Sequence, residues 1–325
     1  MRTLRVLLAG SAGVGHQDHQ AEMYAPGFAA HPGFRVVAEM MDPAELARPD
    51  VDVVSVCVPF ERRVEVVTAA LRAGKHVLVD KPVALTSGEC AEIAAVAAET
   101  GLVCLPAYHQ RFHPAVRAAR EAVAAGRVGL PWNAQADFLV AGGGPVWPYG
   151  ELLNFAPYAT DALHAIAGLP VVSVYALAGH VAEDAGGGGP EDLVTLCLTH
   201  ERGMTSTVVA GRTPPVAGAR GLSLHRYRIS GSHGTLLADA TRPGVVVRSE
   251  EAARTAWAGH GTVHRMLTEL HDAVTGGRPA ELGPADALAA LRLVEGARES
   301  IATGGVVHLD AREETSEHAE RAGTR

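Results

Sequence analysis

The sequence VLVDKP, from Val77 to Pro82, is the stretch around which the rest of the chain can be arranged. Its first three residues are apolar and two of them are β-branched, which predicts a short buried strand, and Pro82 cannot continue a sheet ladder. Lys81 is therefore expected at the carboxyl end of a parallel strand, where open α/β sheets bind their ligands. A partly desolvated lysine there can lower the pKa of a neighbouring hydroxyl and hydrogen-bond a substrate oxygen. Taken alone, the stretch also fits a surface lysine before a turn.

Composition sets the broad class of the protein. The 325 residues suffice for two domains, and 47% hydrophobic with 20% charged residues is typical of a soluble globular protein. The formal net charge of −8 disfavours nucleic-acid binding. No apolar run is long enough for a membrane span, and a strand predicted close to the N-terminus leaves no room for a signal peptide. We expect structural thiols in a reducing cytoplasm, because no CxxC pair occurs among Cys57, Cys90, Cys104 and Cys197.

A glycine-rich turn follows the first predicted strand, LRVLLA (Leu4–Ala9), and a helix is predicted from about His19. Strand, turn and helix together aim backbone N–H groups at a pyrophosphate, although a merely tight turn is the alternative. Ala12 occupies the middle position of G-x-G-x-x-G, where a residue without a Cβ lets the phosphate approach the backbone. The phosphate would therefore fit only after a small shift of the turn, or in a rearranged turn in which Gly13 takes this role. The candidate cofactor residues here are Gly10, Ser11, Ala12, Gly13, Val14 and Gly15.

An acidic residue ends the second predicted strand, Phe34–Met41. Asp42 can accept the ribose hydroxyls of NAD, or it can cap a short helix over Ala44–Ala47, and the sequence favours neither role. Only Asp42–Asp50 separates this strand from the next one, Val51–Val58, whereas a full crossover takes about a dozen residues or more. We therefore predict one strand fewer at this edge of the sheet and a reduced adenosine pocket.

Strands and helices alternate through the rest of the first half. Helices are predicted over Glu61–Ala73 and from the Thr86 N-cap to Gly101, with a last strand over Leu102–Leu105. This alternation predicts an α/β fold in residues 1–106, with a Rossmann-like doubly wound parallel sheet that is shortened by one strand–helix unit.

The periodicity changes after residue 106. Residues 107–310 are expected to form an α+β domain for substrate binding and dimerisation, and residues 311–325 a disordered tail. Helices are predicted over Ala115–Ala125 and Pro157–Ala167. Alternating segments predict a large, mostly antiparallel sheet with one face toward solvent or a partner. These segments are Asn133–Val140, Val171–Val181, Asp192–Thr199, Thr205–Gly211, His225–Ile229, Leu236–Ala238 and Val245–Val247.

Glycine and histidine clusters in the second half do not indicate a ligand. The glycine runs Ala141–Gly144 and Gly186–Gly189 lie outside any strand–helix turn, so we predict flexible connections, the first of them a candidate lid. Two histidine pairs have the spacing of metal ligands on a helix, but no third ligand completes either, so no metal site is predicted. The pairs are His109 with His113, and His260 with His264.

Several segments match one family signature in order along nearly the whole chain. AGKHVLVDKP (Ala73–Pro82) looks like AGKHV-x-x-EKP with Asp80 in place of Glu. With this segment and those that follow, the chain resembles the glucose-fructose oxidoreductase and inositol dehydrogenase family (Gfo/Idh/MocA). The further matches are Tyr108–Pro114 with its R-F-x-P segment, Gly126–Gly129, Ile229–Asp239 with its G-x-x-G-x-L hairpin, and Pro284–Gly304 with its closing helix.

The family's third signature, G-G-x-L-x-D-x-G-x-H-x-x-D, is similar to Gly150–Asp161 with three replacements. Asn154 stands for the first carboxylate, Ala156 for the glycine and Tyr158 for the histidine, while Asp161 is retained. An amide cannot take a proton, but tyrosine replaces the histidine in members thought to remain active. Two further departures after the strand-ending Pro59 are Phe60 and Arg63, where the family often has Asn and His.

The resemblance implies an enzyme that uses NAD or NADP to transfer hydride to or from a carbinol or ketone carbon. It implies a small polyhydroxylated substrate, such as a sugar, polyol or cyclitol derivative, and a homodimer or homotetramer formed through the C-terminal sheet. Besides the glycine turn and Asp42, the implied cofactor contacts are Pro59, Asp80, Lys81, Pro82 and Arg111.

The catalytic residues are expected to meet in a cleft between the two domains. Tyr158 is assigned as the base, its pKa lowered by the Lys81 ammonium, and a core tyrosine with a satisfied hydroxyl is the alternative. Asn154 would orient the substrate, and Asp161 would position a second hydroxyl or brace the helix. Tyr158 and Asp161 lie three residues apart on one helical face, which Asn154 shares if the helix begins early enough.

Two other functions stay open. One is an epimerase or elimination enzyme that oxidises and then reduces its substrate, so that bound NAD is not consumed. The other is a catalytically inactive, ligand-binding regulatory protein, which Ala12, Asn154 and the short connection after Asp42 favour somewhat.

Overall fold

The structure is a computed structural model that describes most of the chain. The described residues are 2–14, 17–40, 42–141, 147–180, 189–213, 223–241, 245–248, 253–256 and 261–309. Gly15, His260, most of both glycine runs and the predicted tail lie outside these ranges. Across the described ranges, no helix combines the length and apolar character needed to cross a membrane.

The first half folds as the predicted parallel α/β sheet. Its strand order is β2-β1-β3-β4-β5, and every neighbouring pair is parallel. A π-helical turn, Gln20–Tyr24, runs directly into the first helix. The strands are β1 (Leu4–Ala9), β2 (Phe34–Glu39), β3 (Val53–Val56), β4 (His76–Val79) and β5 (Cys104–Pro106), and the helices are α1 (Ala25–Ala30), α2 (Phe60–Arg72) and α3 (Ser87–Thr100).

The predicted loss of one strand–helix unit is confirmed at the β2 edge. Between β2 and β3 the chain forms a single 3₁₀ turn, Pro43–Ala47, and β2 is the last strand of the sheet. Asp42 caps this turn, because its side chain accepts a hydrogen bond from the Ala44 N–H at 2.8 Å while its own N–H donates to Glu45. The capping role is therefore realised, and the ribose role stays a prediction.

The second half forms the predicted large, mostly antiparallel sheet, in the order β11-β10-β6-β9-β8-β7-β14. Only β6 and β9 pair in parallel within it. The strands are β6 (Pro131–Ala141), β7 (Val171–Gly179), β8 (Leu193–His200), β9 (Thr205–Thr213), β10 (Leu224–Gly231), β11 (Gly234–Asp239) and β14 (Val307–His308), and the helices are α4 (Pro114–Ala124), α5 (Gly150–Ala167), α6 (Thr262–Gly276) and α7 (Pro284–Thr303).

Four elements differ from the sequence-based expectation. The strand predicted at Val245–Val247 does not join the large sheet; β12 (Val245–Arg248) pairs with β13 (Ala253–Ala256) in a separate ribbon. Strand β13, helix α6 and the short edge strand β14 were not predicted. A strand-forming sequence indicates extended backbone, but its partner is decided by tertiary contacts that local periodicity does not encode.

The two faces of the large sheet have different compositions. On the inner face, Ala176, Leu196, Val208, Ala136 and Tyr227 are paired across the sheet and are all buried against the helices. The adjacent row faces the other way and mixes apolar with polar side chains. It consists of Tyr175, Cys197, Thr207, Gln135, Arg228 and Leu237.

A buried arginine ties together the carboxyl ends of β3 and β4. The Arg63 side chain is fully buried and donates to the backbone carbonyls of Val58, Asp80 and Pro82. Its guanidinium also lies 3.7 Å from the Asp80 carboxylate and 4.3 Å from the centre of the Phe60 ring. Arg63 therefore fixes the loop that carries Lys81, because it bonds to residues on both sides of that lysine.

We expect Arg63→Met to lower the free energy of unfolding by about 3–5 kcal/mol, because it strands a buried carboxylate and several carbonyl groups. Urea denaturation followed by circular dichroism measures the loss. The matched control is Arg62→Met, whose side chain is 51% exposed and should cost less than about 1 kcal/mol. Similar losses for the two variants would contradict this role for Arg63.

Candidate active site

Lys81 lies where the sequence places it, just beyond the end of β4, and its side chain meets the second domain. The ammonium donates to the Asn154 side-chain oxygen and lies 3.4 Å from the Asn154 backbone oxygen. Burial lowers the pKa of Lys81 to about 8, with Asp80 and Glu151 opposing the shift and Arg212 and Arg63 adding to it. An ammonium with this pKa can hold or release a proton near neutral pH.

Helix α5 supplies the other half of the site. It begins at Gly150, earlier than predicted, so Asn154, Tyr158 and Asp161 all lie on one helix. Its first turn is fixed by Glu191, whose backbone oxygen accepts from the Glu151 N–H at 2.9 Å. The helix is buried along nearly its whole length, mainly against elements of the second domain, and Asn154 links it to Lys81 of the first.

Two further charged residues, Glu151 and Arg212, extend the hydrogen-bonded contact between Lys81 and Asn154. The Asn154 amide nitrogen donates to Glu151 at 2.6 Å, and Arg212 donates its Nε–H to the other oxygen of Glu151 at 2.6 Å. Glu151 is completely buried, whereas the Arg212 side chain is 20% exposed. The sequence did not single out either residue, because they lie far apart in the chain and match no local motif.

Tyr158 is close to Lys81, but its pKa is not lowered. The Lys81 ammonium lies 5.0 Å from the centre of the Tyr158 ring, and the phenol donates to the Ala107 carbonyl at 3.4 Å. Burial raises the pKa of Tyr158 well above its ordinary value, and the Asp80 charge adds to the shift. The structure brings the two side chains close together, whereas the expected lowering of the Tyr158 pKa is wrong because burial and the Asp80 charge disfavour the phenolate.

Aromatic rings enclose the Tyr158 side chain. Phe138 stacks on it with ring centres 5.6 Å apart, and His109 meets it edge-on at 5.4 Å. Burial lowers the pKa of His109 to about 4, with the Lys81 charge contributing, so this imidazole is neutral at physiological pH. The His109 Nδ1 and the Thr262 hydroxyl are hydrogen-bonded at 2.8 Å, and this bond fixes the orientation of the imidazole ring.

Asp161 braces the helix, which was one of its two predicted roles. Arg111 donates to both Asp161 oxygens and also bonds to Asp286 at 2.9 Å and to the Glu281 carbonyl at 2.8 Å. This buried network joins α5 to the start of α7. Since Arg111 is engaged by these groups, its predicted contact with the cofactor gains no support from the structure and stays a prediction.

Asp80 does not face the cleft. Its carboxylate is fully buried and bonds to His19 at 3.0 Å and to the Tyr24 hydroxyl at 2.7 Å, with Arg63 nearby. The predicted cofactor contact of Asp80 stays a prediction, and its side chain gives it no support because the carboxylate is buried among protein groups. It anchors the segment between β1 and α1 to the strand end that carries Lys81.

The glycine turn after β1 fits a dinucleotide site. Gly10 has a positive φ of 79°, and a Cβ there would come 2.8 Å from the Cys57 carbonyl oxygen. The Ala12 N–H donates to the same carbonyl at 2.7 Å, so the turn lies across the ends of β1 and β3. Strand order reverses beside β1, and open sheets bind nucleotides at such a point. Ser11, Gly13 and Val14 line this described part of the turn, while Pro59 and Pro82 end the neighbouring strands.

No group of three or more metal-ligating side chains occurs in the part of the chain that the structure describes. His113 instead caps α4, since its Nδ1 accepts from the Ala115 N–H at 3.1 Å. The partners of His109 and His113 are therefore protein groups.

Comparison with known families matches both halves of the chain. Residues 11–108 match the family described as "Oxidoreductase family, NAD-binding Rossmann fold". Residues 116–237 match the "GFO/IDH/MocA C-terminal domain". The two matched segments follow each other without overlap and correspond to the parallel and the mostly antiparallel sheet.

Individual relatives match over shorter segments. A 1,5-anhydro-D-fructose reductase from Ensifer adhaerens is 46% identical over 83 residues, covering 26% of this chain and 25% of that protein. A trans-1,2-dihydrobenzene-1,2-diol dehydrogenase from Bos taurus is 33% identical over 165 residues, covering 50% of this chain and 46% of that protein. The matches thus span a quarter to about half of these relatives' length.

A solved structure shares the whole fold. The aldose-aldose oxidoreductase from Caulobacter crescentus, crystallised with glycerol, superposes with a TM-score of 0.78 over 95% of this chain and 100% of that one, at 23% identity. Similarity at this level of identity describes the fold alone.

The chain permits a direct test of the Lys81 environment, because its only lysines are Lys75 and Lys81. Protein labelled with ¹³C at the lysine ε-carbon should give two side-chain resonances, and Lys81→Met identifies one by its loss. We expect the Lys81 resonance to titrate with a midpoint of about 8, because burial disfavours the ammonium. A midpoint at the ordinary lysine value would contradict the buried site.

Proposed function

The chain belongs to the Gfo/Idh/MocA oxidoreductase family with its NAD-binding Rossmann fold, and we propose on this basis that it interconverts an alcohol and a ketone on a small polyhydroxylated molecule. The cofactor is NAD or NADP, which when bound accepts or supplies the hydride. The substrate is a sugar, polyol or cyclitol derivative, in keeping with the names of the relatives above.

One observation carries this proposal. The buried Lys81 ammonium, at the carboxyl edge of the parallel sheet, is hydrogen-bonded to α5 of the second domain. A proton-transfer group with a pKa of about 8 therefore lies between the nucleotide-binding edge and the helix expected to face the substrate. Alcohol oxidation requires such a group, because the hydroxyl must lose its proton as the carbonyl forms.

We assign proton transfer to Lys81 and hydrogen bonding to Tyr158. In the oxidation direction, neutral Lys81 accepts the proton of the substrate hydroxyl, and in reduction the ammonium returns it. Tyr158 stays neutral because its pKa is raised, so its hydroxyl can only donate to or accept from the substrate. Asn154 holds the Lys81 side chain, and the turn at Gly10–Val14 holds the cofactor pyrophosphate.

The substrate and cofactor contacts assigned by residue remain part of this proposal. Asp42 is exposed at the end of β2, where a ribose could replace its capping bond. The residues that end β3 and β4, Pro59 and Pro82, bound the edge on which a nicotinamide would lie. Four free thiols also support a reducing, cytoplasmic location.

Calorimetry with NAD and with NADP tests the proposal first. Binding of one dinucleotide, together with turnover on a panel of polyols and sugars, is the expected result. Binding without net consumption while the substrate is converted would indicate the epimerase or elimination alternative, and no binding of either would exclude all redox functions. Ala12→Gly is a useful comparison, because removal of the Cβ should leave the dinucleotide affinity unchanged or increase it.

Lys81→Met should reduce kcat/KM for oxidation by about two orders of magnitude or more, because it removes the proton acceptor. Tyr158→Phe should reduce it by only about tenfold, because one hydrogen bond is lost. In the wild type and in Tyr158→Phe, the rate should rise with pH through about 8, as Lys81 loses its proton. Loss of this pH step in Tyr158→Phe would instead identify the phenol as the base.

We also propose that the chain forms a homodimer or homotetramer through the outer face of the large sheet. Leu177 and Leu237 on that face are 53% and 77% exposed. Leu177 pairs across the sheet with Thr195, and Thr195 pairs with Val209, so the exposed leucines share a face with further apolar side chains. Such a surface favours association.

Leu177→Asp combined with Leu237→Asp should convert the oligomer to a monomer, because two charges would enter the buried interface. Light scattering after size-exclusion chromatography measures the mass. Leu130→Asp, at a residue that is 70% exposed but precedes β6, is the matched control and should leave the mass unchanged. A monomeric wild type would refute the proposed interface directly.

A further inference from the structure

Four side chains form a continuous hydrogen-bonded row that passes from the cleft into the second domain. Lys81 bonds to Asn154, Asn154 to Glu151, and Glu151 to Arg212. Glu151 has no exposed surface, and Arg212 at the end of the row is partly exposed. We refer to these four residues as the Lys81–Arg212 row.

The chemistry of its neighbours fixes the orientation of the Asn154 amide. An ammonium can only donate hydrogen bonds, and an ionised carboxylate can only accept them. The amide oxygen must therefore face Lys81 while the amide nitrogen faces Glu151. Turning the amide over would place two donors together at Lys81 and two acceptors together at Glu151. Glu151 is thus the group that keeps an acceptor directed at Lys81.

Glu151 is also the acid connected to Lys81 through hydrogen bonds. The other nearby acid, Asp80, bonds to His19 and Tyr24 and lies beside Arg63. The remaining charged neighbours are Arg63 and Arg212, both cations. His109 and Tyr158 face the same region but are neutral near pH 8, because burial lowers the pKa of the first to about 4 and raises that of the second.

We propose that Glu151 is a positioning residue that acts through Asn154 to orient the Lys81 ammonium and to set how firmly Lys81 holds its proton, with Arg212 moderating its charge. This inference rests on the proposed function for its catalytic meaning. The predicted effect of Glu151 on the titration of Lys81 can be measured without cofactor or substrate.

The test compares two substitutions with opposite expected effects on the ¹³C-lysine titration of Lys81. Glu151→Gln keeps an acceptor for Asn154 but removes the negative charge, so the Lys81 midpoint should fall by about one pH unit. Arg212→Met removes a cation and keeps an apolar stem near the Phe155 ring, which lies 5.2 Å from the Arg212 guanidinium. The midpoint should then rise by a similar amount.

Glu191→Gln is the matched control. Glu191 bonds through its side chain to the Leu152 N–H at 2.9 Å in the same helical turn, but it is not part of the row, so the Lys81 midpoint should stay unchanged. A merely structural role for Glu151 predicts that both test variants move the midpoint in the same direction or not at all. Either result overturns the proposal.

Two readouts keep this test separate from the proposed function. If the wild type turns over substrate, the pH at which kcat/KM rises should move with the Lys81 midpoint in each variant. If the wild type shows no redox activity, the proposed function fails while the titration still decides the role of Glu151. If Glu151→Gln does not fold, Arg212→Met decides alone, since a fall or no change in its midpoint overturns the proposal.

Discussion

The contact between Lys81 and Asn154 joins two domains through a charge that neither could bury alone. A buried ammonium is costly unless polar groups replace its water. The parallel sheet brings Lys81 to its carboxyl edge, but the acceptors come from α5 in the second domain. Domain docking and formation of the site are therefore the same event. Two turns further along α5, Arg111 bonds to Asp161 and Asp286 and ties the same helix to α7 within the second domain.

Much of the parallel half could be predicted because its signals are local. A glycine turn, capping residues such as Thr86, and strand-ending prolines mark boundaries wherever the fold places them. The missing strand–helix unit was also predictable, since the length of Asp42–Asp50 limits what can form there. The β12–β13 ribbon and helix α6 were not, because a strand's choice of sheet and a helix's place in a domain depend on contacts distant in sequence.

The position of the site could be predicted from the sequence, but the partners of its charged side chains could not. Lys81, Asn154 and Tyr158 were expected together, and the structure brings them together. The bonds of the Asp80 carboxylate to His19 and Tyr24 were not predicted, because a family match identifies a position and not the partners of its side chain. Glu151 lies three residues from Asn154, yet its other partner is 61 residues away, so no local pattern marked it as part of the site.

The departures from the family signature are consistent with one another. A carboxylate at position 154 would stand within hydrogen-bonding distance of Glu151, and two buried anions at that separation repel each other. With Asn154 in place, the Glu151 carboxylate lies one helical turn away and is hydrogen-bonded to Lys81 only through the Asn154 amide. Burial lowers the pKa of Lys81, and a more distant Glu151 carboxylate opposes this shift less than a carboxylate at position 154 would. Burial raises the pKa of Tyr158, which stands in place of a histidine, so the proposed proton transfer is assigned to the lysine. The altered signature is thus consistent with the proposed transfer of the acid–base role to Lys81, and it does not by itself indicate a loss of catalysis.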